Sequence, residues 1–285
     1  MKHILMPTDF SNASYNALEY AVQLFINDAC TFYVLNTYTP VALYTSTIYD
    51  NHTALNIDLG EIYKNNSLER LETVIDKVKY AYPNSKHIFT PIASYNVLTL
   101  EIDEIVTTSN IDAIVMGTSG ASGLKEVFIG SQTMHVVKDA KVPVIGVPEG
   151  YTYKALKDIL FATDYRTGTH QKGLSLLEEL CRKHISRLIF LNAYFGLSLD
   201  EEQLENKESL DTYFERDAHI NEIADGMTVL EAVEDFQSKH SIDLLVLVHN
   251  KHSFFENLLF TPVVNKIVHH AALPFMILPP VNTAI

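Results

Sequence analysis

Cysteine is scarce in this 285-residue chain: only Cys30 and Cys181 occur, with no CxxC pair and no Cys/His ligand spacing. That argues against a disulfide framework or a zinc module. Both lie in helix-like apolar patterns and read as buried thiols. Long apolar runs are missing too, with no stretch near the roughly 18 uninterrupted apolar residues that a membrane helix needs. The opening MKHILMPTDF has no charged leader ahead of such a run, so the cytoplasm is the expected compartment. Basic residues are few: 21 Lys+Arg face 35 Asp+Glu, a net charge of -14. Split at residue 150, each half carries -7, which argues against a general nucleic-acid or anionic-membrane surface, since both need a basic stripe. Neither of two common phosphate cradles, GxGxxG and GxxxxGK[ST], is present.

With 47% hydrophobic and 20% charged residues, the chain expects a folded protein, and its length suits two domains that each bury a core. It also repeats itself. Lys2-His3-Ile4-Leu5-Met6-Pro7-Thr8-Asp9-Phe10 is echoed by Lys157-Asp158-Ile159-Leu160-Phe161-Ala162-Thr163-Asp164-Tyr165, and both place Thr-Asp-aromatic after an apolar strand. Val142-Pro143-Val144-Ile145-Gly146-Val147-Pro148 is echoed by Leu273-Pro274-Phe275-Met276-Ile277-Leu278-Pro279. Self-similarity on this scale implies duplication of a whole domain, giving domains 1–150 and 151–285 with a boundary near Glu149 to Lys157.

Between those ends strand and helix alternate. Helical periods begin near Ser11 and run over about Glu61 to Tyr80 and Val97 to Thr108, with strands at Phe32 to Tyr38, His87 to Ala93 and Asp112 to Met116. The segment Thr39 to Gly60 follows neither period and reads as a loop or lid. The second half continues with a helix at about Thr169 to His184, a strand at Arg187 to Tyr194, a helix at Thr228 to Lys239 and a strand at Asp243 to Val248. The acidic segment Asp200 to Asp211 reads as a solvated helix or loop. The fold class is therefore α/β: two tandem, doubly wound, parallel-sheet domains, whose ligands would sit beyond the carboxyl ends of the strands.

The most informative run is Met116-Gly117-Thr118-Ser119-Gly120, then nine residues, then Gly130-Ser131-Gln132-Thr133 opening an apolar helix. Glycines let backbone approach a bulky ligand, and free amides at the helix start, with the Ser131 and Thr133 hydroxyls, offer donors to phosphate oxygens. The plainer alternative is that these glycines only make turns.

The spacing resembles the universal stress protein family, whose ATP-binding members carry G-x2-G-x9-G-[ST] here. Gly117, Gly120, Gly130 and Ser131 match each defined place, and the resemblance extends to Pro7-Thr8-Asp9-Phe10-Ser11 and Val142-Pro143-Val144. It implies that Asp9, with Pro7 and Thr8, approaches adenosine, that Val34 and Leu35 line the adenine slot, and that Met116 through Gly120, Ser119 included, contact ribose and phosphates. Gly130, Ser131, Gln132 and Thr133 would hold the phosphate chain, as ATP, ADP or AMP, with or without Mg. Asp9 as a helix-capping carboxylate and Val34 and Leu35 as plain core are the competing readings. Lys125, inside the nine-residue loop, is placed to meet a phosphate or simply to be solvated.

In the second half the same places hold Val248, Lys251, Thr261 and Pro262, and Pro262 has no amide proton to give, so nucleotide binding is not expected there although Asp164 persists. His249, His252, His269 and His270 flank that loop, but the adjacent pair points two ways from a helix and no carboxylate or thiolate partner is evident, so no metal is expected. Three functions follow: a nucleotide-binding stress regulator, the one favoured; a slow ATPase or phosphoryl-transfer enzyme, which lacks a recognisable base, arginine finger or paired metal carboxylates; and a nucleotide-free scaffold. The two halves could pack about a pseudo-twofold axis as an intramolecular dimer, with a further homodimer and an unidentified protein partner left open.

Overall fold

The computed structural model describes residues 1–38, 59–118, 131–171, 173–194, 198–249 and 273–280. The first half runs β1 (Lys2–Pro7), α1 (Asn12–Leu24), β2 (Cys30–Thr37), α2 (Leu59–Ala81), β3 (His87–Ser94), α3 (Leu98–Thr108), β4 (Ala113–Gly117), α4 (Ser131–Asp139) and β5 (Val144–Val147). The second runs β6 (Asp158–Ala162), α5 (Leu174–His184), β7 (Arg187–Tyr194), α6 (Glu201–Tyr213), β8 (His219–Asp225), α7 (Val229–Lys239), β9 (Leu244–Val248) and β10 (Phe275–Leu278). The strands form one sheet in the order β3-β2-β1-β4-β5-β10-β9-β6-β7-β8. Among the described residues its pairings are parallel except the central one, where β10 runs antiparallel to β5.

The inner strands are apolar on both faces, so both faces must be covered. Ile4, Met6 and Val34 point into a layer shared with Ala17 and Leu18 of α1, Leu71, Ile75 and Val78 of α2, and Leu177 and Leu210 of α5 and α6. Leu5, Leu35 and Ile114 point the other way, against Ile102 and Ile105 of α3, Val136 and Val137 of α4, and Ala232 and Val233 of α7. This is the doubly wound α/β arrangement the alternation implied.

Two local readings need correction, the helix-or-loop alternative for the acidic segment is decided, and one strand is added. Cys30 opens β2 rather than lying in a helix. The helix expected from Thr169 starts at Leu174, because Gly173 at φ 90° is packed where a Cβ would collide with the Pro143 ring. The acidic segment is a true helix, α6, held by a capping box in which the Asp200 carboxylate accepts the Gln203 amide and the Gln203 side chain returns to Asp200. Strand β8 escaped notice because it is an edge strand, largely exposed and interleaved with polar residues. The Thr39 to Gly60 segment lies outside the described residues as far as 58, and Leu59 and Gly60 open α2.

Candidate functional site

The chain leaves β1 toward β2 on one side and enters β4 on the other, so the crevice between the carboxyl ends of β1 and β4 is the sheet's topological switch point in the front half. From β1 the chain climbs into α1 on one face. From β4 it leads to α4 on the other. Ligands of doubly wound sheets bind in such crevices, and among the described residues Pro7, Thr8 and Asp9 follow or end β1 while Met116 and Gly117 close β4.

Pro7 ends β1, and buried Thr8 follows. The Thr8 amide donates to the Leu35 carbonyl (2.8 Å), its carbonyl accepts from the Asn36 side-chain amide (2.8 Å), and its hydroxyl lies 2.9 Å from Ser14 Oγ while accepting the Phe10 amide. Every polar group of Thr8 is thus committed to shaping the turn. Phe10 sits at φ 64°, a costly backbone for an aromatic, with the Arg70 guanidinium 3.9 Å from its ring centroid. Exposed Asp9 accepts the Ser11 amide at 3.0 Å, and it is Ser11, not Asp9, that caps α1 by accepting the Ser14 amide at 3.2 Å.

Val34 and Leu35 have no exposed surface and point into opposite layers. Met116 is buried, and Gly117 ends β4 where a Cβ would come within 2.8 Å of the Ala13 carbonyl carbon and oxygen. Glycine is needed there for α1 to lie so close, whatever else it touches. Thr133, on the first turn of α4, is buried and donates its hydroxyl proton to the Gly117 carbonyl (2.9 Å), which ties the helix start to the end of β4. Gln132 beside it is exposed. Ser131 begins α4. Ser119, Gly120, Lys125 and Gly130 lie outside the described residues.

The same turn is built again in the second half. The Thr163 amide donates to Leu191 O (3.0 Å), Asn192 to Thr163 O (2.9 Å), the Tyr165 amide to Thr163 Oγ1 (3.0 Å), and the Arg166 amide to Asp164 (3.0 Å), with Tyr165 at φ 56°. Asn36 and Asn192 were missed in the sequence, although Leu-Asn recurs at both sites. Here, however, α6 closes over the turn: Gln203 donates to Asp164 O (2.7 Å) and Asn206 to Tyr165 O (2.9 Å). Val248 ends β9 in the place of Gly117, while Lys251, Thr261, Pro262, His252, His269 and His270 lie outside the described residues. Among the described residues no three His, Cys, Asp or Glu side chains are grouped to hold a metal. Cys30 and Cys181 are buried, and that burial pushes each thiol up to about 12, far from thiolate chemistry.

The fold defines a doubly wound α/β protein whose front-half switch point lies between β1 and β4. The universal stress protein family model matches residues 1–148, and the chain belongs to that family. Two relatives from Methanocaldococcus jannaschii, universal stress proteins MJ0531 and MJ0577, are 30% and 26% identical over 149 and 152 residues; each alignment covers 51% of this chain, and 81% and 94% of the relative. A universal stress protein structure from Archaeoglobus fulgidus aligns over 98% of this chain and 97% of its own, with a TM-score of 0.64 at 17% identity, a likeness of fold. No helix among the described residues is long and apolar enough to cross a membrane.

Proposed function

We propose that the front half of this chain binds ATP or a related adenine nucleotide, and that occupancy makes the protein a cytoplasmic stress-response regulator. One observation carries this reading: Thr133 in the first turn of α4 donates to the Gly117 carbonyl at the end of β4, which holds the amino end of α4 beside that strand end, and free amides at a helix start suit an anionic tail. The family membership of residues 1–148 supports it. Residues 1–150 and 151–285 are read as two repeats of one domain, supported by the duplicated turns at Thr8 and Thr163. The rear copy is read as nucleotide-free, since Gln203 and Asn206 already hold the carbonyls of its turn and Val248 replaces a glycine.

Calorimetric titration of ATP with Mg into the purified protein, beside a Gly120→Lys/Gly130→Thr variant, tests the site. A single site in the parent, lost in the variant, is the expected result. Absence of binding heat in the parent would sink the proposal.

A further inference from the structure

The centre of the sheet is built from unlike residues at positions that a duplicated chain would make alike. The ladders fix the correspondence: Ala113 lies beside Ile4 as Leu244 lies beside Ile159, and Val144 beside Ile114 as Phe275 beside Leu245. Val144 therefore corresponds to Phe275, Ile145 to Met276 and Gly146 to Ile277. In the antiparallel pairing of β5 with β10, Ile145 faces Met276, its own counterpart, so an axis relating the halves passes through that pair. The flanking pairs, Phe275 with Gly146 and Ile277 with Val144, would be identical under true twofold symmetry. They are not. The Phe275 ring occupies the space where a Cβ on Gly146 would fall, and both flanking pairs are buried.

Like halves would fit poorly here. Two front halves would set Val144 against Gly146 twice and leave the ring's volume empty. Two rear halves would set Phe275 against Ile277 twice, and the isoleucine Cβ alone would collide with the ring.

Charge across the same junction disfavours paired front halves, while paired rear halves would keep a lysine, Lys157, in the place of Lys2 against Glu179. Lys183 pairs with Asp28, Lys2 with Glu179, and His184 Nε2 donates to the Leu24 carbonyl at 3.2 Å. Counting back from the matched β2 and β7 ladders, buried Leu18, Tyr20, Ala21, Leu24 and Phe25 fall on buried Leu174, Leu176, Leu177, Leu180 and Cys181. On that register Glu179 answers to Gln23, Lys183 to Asn27 and Asp28 to His184. Paired front halves would offer Gln23 to Lys2 and Asn27 to Asp28, losing both ion pairs. Paired rear halves would bring Lys183 against His184.

We propose that this seam is a heterospecific pairing surface: by knob-and-hole packing at Phe275 and Gly146 and by ion pairs that two front halves would lose, a front half accepts a rear half and rejects another front half. The partner it fits is the other half of this chain, which blocks assembly of copies through like halves. The inference rests on the two-repeat reading and is independent of nucleotide binding.

A protease site placed between exposed Lys154 and Ala155 lets the folded full chain be nicked, unfolded in urea, refolded and weighed by native mass spectrometry. Front–rear pairs should exceed like pairs by about tenfold or more, the ratio given by a difference near 1.4 kcal/mol. In the Gly146→Ile/Phe275→Val chain, both flanking pairs become Val with Ile, and like pairs should rise toward their statistical share. In the uncut chain, Gly146→Ile should lower the unfolding midpoint, and adding Phe275→Val should restore most of it. Statistical scrambling of the nicked parent, or no restoration in the double variant, overturns the proposal while leaving the repeats standing. Separation into monomers also overturns it. If the nicked chain does not refold, the uncut-chain midpoints of Gly146→Ile and Gly146→Ile/Phe275→Val decide the proposal.

Discussion

Single side chains set the acid response of this protein. His87 is buried, with Nε2 against the Phe25 carbonyl (3.1 Å) and Nδ1 lacking a partner among the described residues, and burial holds its pKa below the ordinary 6.5 despite that hydrogen bond. Burial does the same to His184 against the Leu24 carbonyl. With folded values depressed below unfolded ones, the unfolded chain binds these protons first. Stability is therefore complete above the ordinary histidine range and falls as the pH drops through the depressed values. At Glu179 burial pulls upward, but hydrogen bonds from Lys183 and Lys2 prevail and hold the carboxyl below 4.5, so its contribution is lost only at lower pH. The urea midpoint should decline from about pH 7 to about pH 5, and a His87→Gln/His184→Gln chain should flatten that slope. An unchanged slope in the variant would remove both histidines from the account. None of this was legible in the sequence, where His87 and His184 have no pattern, because their burial follows from helix ends and strands meeting in space. Asp9 was legible, since Thr-Asp-aromatic recurs, but its role as the acceptor for Ser11 was not distinguishable from a helix cap.

Among elements, the decisive contact is α1 on β4. Asn12 begins α1 two residues after Phe10, and that early start brings the Ala13 backbone against Gly117. In the rear half Val248 takes the glycine's place, and α5 begins at Leu174, nine residues after Tyr165. The side chain at this strand end accompanies a helix that starts late, whereas at Gly117 a Cβ would meet the Ala13 backbone at 2.8 Å. Gly117→Val should therefore push α1 away from β4 and cost about 1–3 kcal/mol, read as a lower urea midpoint with unchanged slope. A variant as stable as the parent would mean that α1 yields without cost. Element order was legible from hydrophobic period, and β7 and α7 fall where the pattern put them to within a residue. Strand β8 was not: its Ile220 and Ile223 are exposed at the sheet edge, so no burial pattern marks it.

At the scale of the whole molecule, the ten strands among the described residues share one hydrogen-bonded sheet whose middle, β5 with β10, is buried. The segment between the halves is also fixed, with Tyr151 and Tyr153 edge-on to buried Tyr20 at 6.0 and 5.4 Å between ring centroids. Both halves should thus unfold together, giving one calorimetric transition with the calorimetric enthalpy close to the van't Hoff value. Two resolved transitions would show that the seam does not couple them. The sequence by itself determined the alternation of strand and helix, the echoed openings at Lys2 and Lys157 and the glycine-bounded run after β4, because those depend on local period and spacing. Only the tertiary structure decided that the halves continue one sheet, that Gly146 makes room for Phe275, and that Lys183 meets Asp28. Those contacts join residues more than a hundred positions apart, and no local pattern encodes which distant side chain will fill a given space.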